Sequence, residues 1–153
     1  MPEKETLQRA EEDAREGKSP STQAGEFVRE EIHHIREGKR GAESTKQVIA
    51  IGLSKARREG VKLAAPKPGK ASSKVRKQAE RDLEKGESSN RREPSGKRSR
   101  AISKTLKRKG RSAVSTASLS RQGRSSSARR GKTARKQAAQ KAARTRAQHP
   151  RAA

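Results

Sequence analysis

The sequence predicts an all-α protein, a short helical hairpin embedded in a largely disordered, polycationic chain. Two amphipathic stretches between residues 19 and 63 predict the hairpin. A shortage of core-forming side chains predicts the disorder. Only 26% of the 153 residues are hydrophobic, and Phe27 is the single aromatic residue. That is too little to offset an ordering entropy of roughly 1–2 kcal/mol per residue for the backbone alone. Charge is the third observation. Residues 1–93 hold 22 basic and 17 acidic side chains, a balance of +5, whereas residues 94–153 hold 19 basic and no acidic ones, a balance of +19. A stretch of that kind repels itself, stays extended and attracts polyanions.

Residues 1–18 form an acidic-leaning segment in which Leu7, Ala10 and Ala14 make only a thin apolar stripe, so a frayed helix or disorder is expected. The hairpin occupies 19–63. Ser19 and Pro20 supply N-cap and first-turn chemistry, Gly38 stops the first helix, and Ala24, Val28, Ile32 and Ile35 line its apolar face with Phe27 at the edge. Glu31 interrupts that face, the position of an ion-pair partner for a basic residue on the next helix. Ser44 and Gln47 form a capping box that opens a second helix from Thr45 to Glu59, closed at Gly60 with Val61 placed for a C-terminal contact. Its apolar face is Val48, Ile49, Gly52, Leu53 and Ala56, and Lys46, Ser54, Arg57 and Arg58 lie opposite. A hairpin of this size is marginal alone, which points to a homodimer or to folding on a partner. Residues 64–96 read as a Pro/Gly/Ser linker with one helix at 73–85, and 97–153 as a basic Ser/Ala/Arg-rich disordered tail with helical propensity but little to bury.

No catalytic constellation emerges, so no enzyme and no cofactor are expected. Without cysteine there are no disulfides or thiolate metal sites. Glu30 and His33 have the i,i+3 spacing of di-iron bundles, but matching carboxylates on other helices are lacking and solvated histidines are the expected reading. No apolar run reaches the roughly 20 residues of a spanning helix, so no membrane partner is expected. No apolar leader segment is evident either, which places the chain in the cytoplasm. Phosphate binding fits the charge best. Lysine offers point charges, and arginine offers bidentate contacts. The candidate contacts are Lys39, Arg40, Lys46, Arg57 and Arg58 in the hairpin and Lys107, Arg108, Lys109, Arg111, Arg129, Arg130, Lys132, Arg135 and Lys136 in the tail. Gly38-Lys39-Arg40-Gly41 leads into Ser44 as a candidate phosphate nest.

Two stretches, SPSTQAGEFVREEIHHIREGK at 19–39 and STKQVIAIGLSKARREGVKL at 44–63, resemble a family of small, basic bacterial proteins. Some of that family have no assigned role, and others are loosely catalogued as DNA-binding or plasmid-stabilisation proteins. The tail is similar in composition to linker-histone and histone-like arms. The resemblance implies DNA as the partner and a nucleoid-associated or plasmid-maintenance role. The expected function is therefore non-catalytic, sequence-tolerant DNA binding through the basic tail. RNA, including ribosomal RNA, is the nearest alternative partner, and a hydrophilin-like stress protectant is the alternative of a different class.

Overall fold

The computed structural model describes residues 2–88 and 95–148. They divide into two units, 1–115 and 116–153. The first contains α1 (Lys4–Arg15), α2 (Pro20–Arg36), α3 (Thr45–Arg58), α4 (Ser73–Glu87), α5 (Gly96–Lys107) and a single 3₁₀ turn at Ser112–Val114. The second contains α6 (Thr116–Arg129) and α7 (Gly131–Gln148), which contact each other. The protein is all-α, with no strand among the described residues. None of their helices is long and apolar enough to cross a membrane.

Three helices end in the same way. Gly38 N–H donates to the Ile35 carbonyl and Lys39 N–H to the His34 carbonyl; Gly60 and Val61 repeat this on Arg57 and Ala56, and Gly17 and Lys18 on Ala14 and Asp13. This is the Schellman pattern, and its glycines adopt the positive φ that side-chain-bearing residues resist: 78° at Gly38 and 93° at Gly60. At the other end of α3, Ser44 Oγ accepts from Gln47 N–H at 3.2 Å, and Gln47 Oε1 accepts from Glu43 N–H at 2.9 Å. Gln47 thus reaches back to the residue before the cap.

Helices α2 and α3 form the hairpin, α1 packs along α2, and α4 along α3. The core has two parts. Ala10, Ala24, Phe27, Ala56 and Val61 are buried together, with Leu7, Leu53 and Leu63 packed against them. Ile35, Ala42, Val48, Ala113 and Val114 form the second part, flanked by Ile32. Phe27, placed at the edge by the apolar spacing, is 1% exposed and central, whereas Val28 and Ile32 are half-buried. Gly52 is what lets α2 and α3 approach. A Cβ built on it would lie 2.7 Å from Val28 Cα, against backbone that cannot swing aside.

Two expectations are corrected here. The fold is larger than a short hairpin, because α1, α4 and residues 106–114 all pack on that hairpin. Its outer positions are small or polar: Ala10 with Thr6 and Asp13 on α1, Ala79 with Asp82 on α4. Such positions bury well yet leave only a thin apolar stripe in the sequence. The chain is also not largely disordered. Residues 96–107, 116–129 and 131–148 are helical although none of them buries a residue. Helical hydrogen bonds are internal to the segment, and Ala, Arg and Lys head the helix-propensity scale, so a helix needs no core to satisfy its backbone. The apolar face of the hairpin, expected to call for a second copy or a partner, is covered in part by α1, Val61 and Ala113–Val114 of the same chain.

Replacing Gly52 with Ala forces α2 and α3 apart. A loss of about 1–3 kcal/mol is expected, read as a lower urea midpoint by far-UV circular dichroism with helix content in buffer retained.

Candidate nucleic-acid interface

Where each cation sits follows from which carboxylates the fold brings to it. The centre of the hairpin is an ionic cluster. Glu30 and Glu31 on α2 are 1% and 0% exposed at the side chain, and Lys55 on α3 bridges them, 3.1 Å from Glu30 Oε1 and in direct contact with Glu31 Oε1. Arg40, from the connecting loop, places Nη1 3.2 Å from Glu31 Oε2. These contacts to Glu31 are ionic rather than well-aimed hydrogen bonds, since neither of its oxygens meets hydrogen-bond geometry. Glu31 therefore takes the ion-pair role that its place on the apolar face implies.

His34, and not His33, joins this cluster. Its Nε2 lies 2.8 Å from Glu3 Oε1 and its Nδ1 3.2 Å from Arg40 Nη2. A guanidinium can only donate, so in the contact with Arg40 Nδ1 is the acceptor and Nε2 faces Glu3 as the donor. Glu3 N–H also donates to Glu30 Oε2 at 3.3 Å, which ties the start of α1 to α2. The bonds from His34 and then Lys39 hold the Glu3 carboxyl below its ordinary range. Glu30, Glu31 and His34 offer metal-ligand atoms within 4.8 Å of one another. The Lys55 ammonium and the Arg40 guanidinium fill the positions a hard cation would take and balance both carboxylates, so a metal-binding reading does not fit these residues.

The expected phosphate contacts of the hairpin are thus largely engaged by the chain itself. Lys39 pairs with Glu37 at 2.9 Å and Glu3 at 3.3 Å. Arg57 is buried, with Nε donating to the Leu63 carbonyl at 2.9 Å and Nη2 to that of Ala64 at 3.4 Å, and this burial lowers its pKa. Arg58 Nε lies 2.7 Å from Asp82 Oδ1 on α4, and Ser54 Oγ donates to Asp82 Oδ2 at 2.6 Å. Lys46 alone of the five is exposed with no acidic partner among the described residues. The loop 38–41 is also occupied: Gly41 N–H donates to the Leu106 carbonyl at 3.0 Å and Ala42 N–H to that of Gly110 at 3.2 Å. A nest whose amides already serve the chain has none left at those positions for phosphate.

The acid-free half is different. Lys109 pairs with Glu43, whose carboxyl it lowers, and Arg111 Nη1 donates to the Arg36 carbonyl at 3.2 Å. Lys107, Arg108, Arg129, Arg130, Lys132, Arg135 and Lys136 all face solvent. So do Lys97, Arg98, Arg100 and Lys104, which are not among the contacts expected from the sequence although Lys97-Arg98-Ser99-Arg100 is as dense as the runs chosen there. Helical phase is the signal that finds some of them: Arg100, Lys104, Lys107 and Arg108 share one side of α5. Comparison with protein-family models, curated proteins and solved structures found no match, so the functional reading rests on these residues alone.

Lys55→Met leaves the almost wholly buried Glu30 without its lysine and Glu31 with Arg40 alone. The expected loss is about 3–5 kcal/mol of unfolding free energy in urea, much of it restored in Lys55→Met/Glu30→Met, where Arg40 still balances Glu31. Acid should also loosen the α1 anchor. Because the folded Glu3 carboxyl lies below its unfolded value of about 4.3, its contribution is complete above that pH and is lost as pH falls through the lower folded value. Thermal melts followed by circular dichroism should therefore lose part of their stability as pH falls below about 4.3. Glu3→Gln should melt lower at pH 7 and respond less to acid.

Proposed function

We propose that this protein is a non-catalytic, sequence-tolerant DNA-binding protein whose α5, α6 and α7 neutralise backbone phosphates, in a nucleoid-associated or plasmid-maintenance role. One observation carries the reading. The packed helices pair many of their carboxylates internally, whereas residues 95–148 contain no carboxylate and present all but a few of their cations to water. Neutralising a phosphate releases condensed counterion, so such a surface gains affinity for duplex DNA without reading bases. The arrangement also lacks what sequence reading requires. Arg57 is buried and Arg58 is held by Asp82 on the outer side of α3, which leaves Lys46 as the remaining free cation of the proposed hairpin contacts. Lys46 and the solvent-facing members of Lys107–Lys136 remain the proposed phosphate contacts.

A mobility shift with a mixed-sequence 30-base-pair duplex tests this. Affinity should fall by roughly 10³-fold or more between 50 and 200 mM salt, with similar values for unrelated sequences. Retention of the duplex against excess ribosomal RNA supports DNA as the partner, whereas displacement by that RNA would assign the surface to RNA instead. No binding of either polymer at 150 mM salt would overturn the reading in favour of a solvated stress protectant.

A further inference from the structure

Helix α5 is unlike the other helices of the first unit. It packs on no other element and buries nothing, yet its C-terminal end is tied down tightly. Leu106 and Gly110 accept the two loop amides described above. Thr45 Oγ1 donates to the Ala113 carbonyl at 2.6 Å, Arg36 reaches the Val114 carbonyl at 3.5 Å, and Ala113 and Val114 are 5% and 3% exposed. Residues 106–114 therefore form a latch that seats in the hairpin and projects α5 into solvent. The latch depends on a missing side chain. A Cβ on Gly41 would fall 1.8 Å from the Lys109 carbonyl oxygen, although the φ of Gly41 is not positive and Ala would otherwise be tolerated there.

What the latch projects is a sorted surface. Ser99, Arg100, Ser103, Lys104, Lys107 and Arg108 line a shallow concavity along one side of α5. At 3.6 residues per turn its four cations fall within about 100° of one another, with Lys97 inside the same arc. Successive cations four residues apart rise about 6 Å along the axis, a spacing that follows a row of phosphates. Guanidinium, ammonium and hydroxyl donors together suit phosphate oxygens. Ile102, 54% exposed, and Leu106 lie on the opposite side, too small an apolar area to anchor a helix in lipid. In α7 the cations are spread, with Lys132 and Lys136 on one side and Lys141 and Arg144 on another.

We propose that α5 is a pre-positioned phosphate clamp: the Arg100–Lys104–Lys107–Arg108 face, with the Ser99 and Ser103 hydroxyls, seats along one backbone strand of a nucleic-acid duplex, and the Gly41 latch holds it there. This rests on the DNA-binding reading and adds that position, beyond the number of charges, sets affinity. A latched helix gives up less freedom on binding than a free one.

The test uses the full chain and a fluorescent mixed-sequence 20-base-pair duplex, with anisotropy recorded from 50 to 200 mM salt. Arg100→Gln/Lys104→Gln/Lys107→Gln/Arg108→Gln is compared with Lys132→Gln/Arg135→Gln/Lys136→Gln/Arg144→Gln, an equal charge loss on α7. Because α5 buries nothing, its variant keeps the fold. The α5 variant should bind at least tenfold more weakly than the α7 variant at 100 mM salt. Gly41→Ala, which retains every cation, should lose about three- to tenfold with an unchanged salt slope and unchanged helix content by circular dichroism. Equal losses for the two quadruple variants, or a Gly41→Ala protein that binds as the parent does, would overturn the clamp while the broader reading stands. A parent chain that ignores the duplex would overturn that broader reading. Loss of binding to phosphatidylglycerol vesicles in the α5 variant, with duplex affinity intact, would reassign the surface to lipid and overturn the clamp.

Discussion

A core this poor in large apolar side chains holds together because its interior charges are matched. Glu30 and Glu31 sit where the apolar stripe of α2 is interrupted, and Lys55 and Arg40 reach them from α3 and the connecting loop. Asp82 does the same for α4, gathering Arg58, Ser54 and Gln78 around one buried carboxylate. Such pairs add little net stability compared with apolar packing, but each fixes one register, since a slipped helix would leave a buried charge without its partner. The Glu3–His34–Arg40 chain extends this logic to α1. Register fixed by ion pairs explains how four helices with mostly Ala, Val and Leu between them hold one arrangement.

The same matching divides the molecule by charge. All 17 carboxylates lie before residue 94, and the folded helices draw their cations inward to meet many of them. The later helices carry no carboxylate of their own, and their cations face water. The hairpin then serves as a mount: its loop accepts residues 106–114, and α5 extends from that point. Binding strength in this scheme has two sources, the counterions released by every exposed cation and the ordering already done by the latch. The Ala-rich α7, with charge all round, draws on the first source alone.

Much of the hairpin was legible. Ser-Pro before α2, Ser44 before α3, and Gly38 and Gly60 after them are punctuation with a local mechanism, and the helix ends follow them closely. The face of α2 was harder, because two stripes overlap. Val28 and Ile32 favour one phase, whereas Phe27 favours another that also contains Glu31 and His34, and burial follows Phe27. Reading the first phase leaves His34 outside and makes both histidines look solvated. The packing of α1 on α2 was hidden because its inward side uses Thr6, Ala10 and Asp13. The latch was hidden for another reason: Ala113 and Val114 lie some 65–80 residues from the side chains they meet, within a low-complexity stretch whose local pattern gives no sign of a distant partner. For the cations, counting runs of charge found those of the tail but could not tell that Arg40, Arg57 and Arg58 have other work inside the fold.

Lysine footprinting tests the division of charge most directly. The chain is acetylated briefly at 150 mM salt with and without a saturating duplex, and each site is quantified by mass spectrometry. The account predicts protection by the duplex at Lys97, Lys104, Lys107, Lys132, Lys136 and Lys141, with Lys55 unreactive throughout and Lys4, Lys67 and Lys70 unchanged. Protection centred on Lys4, Lys67 and Lys70, with the lysines beyond residue 95 still reactive, would contradict it.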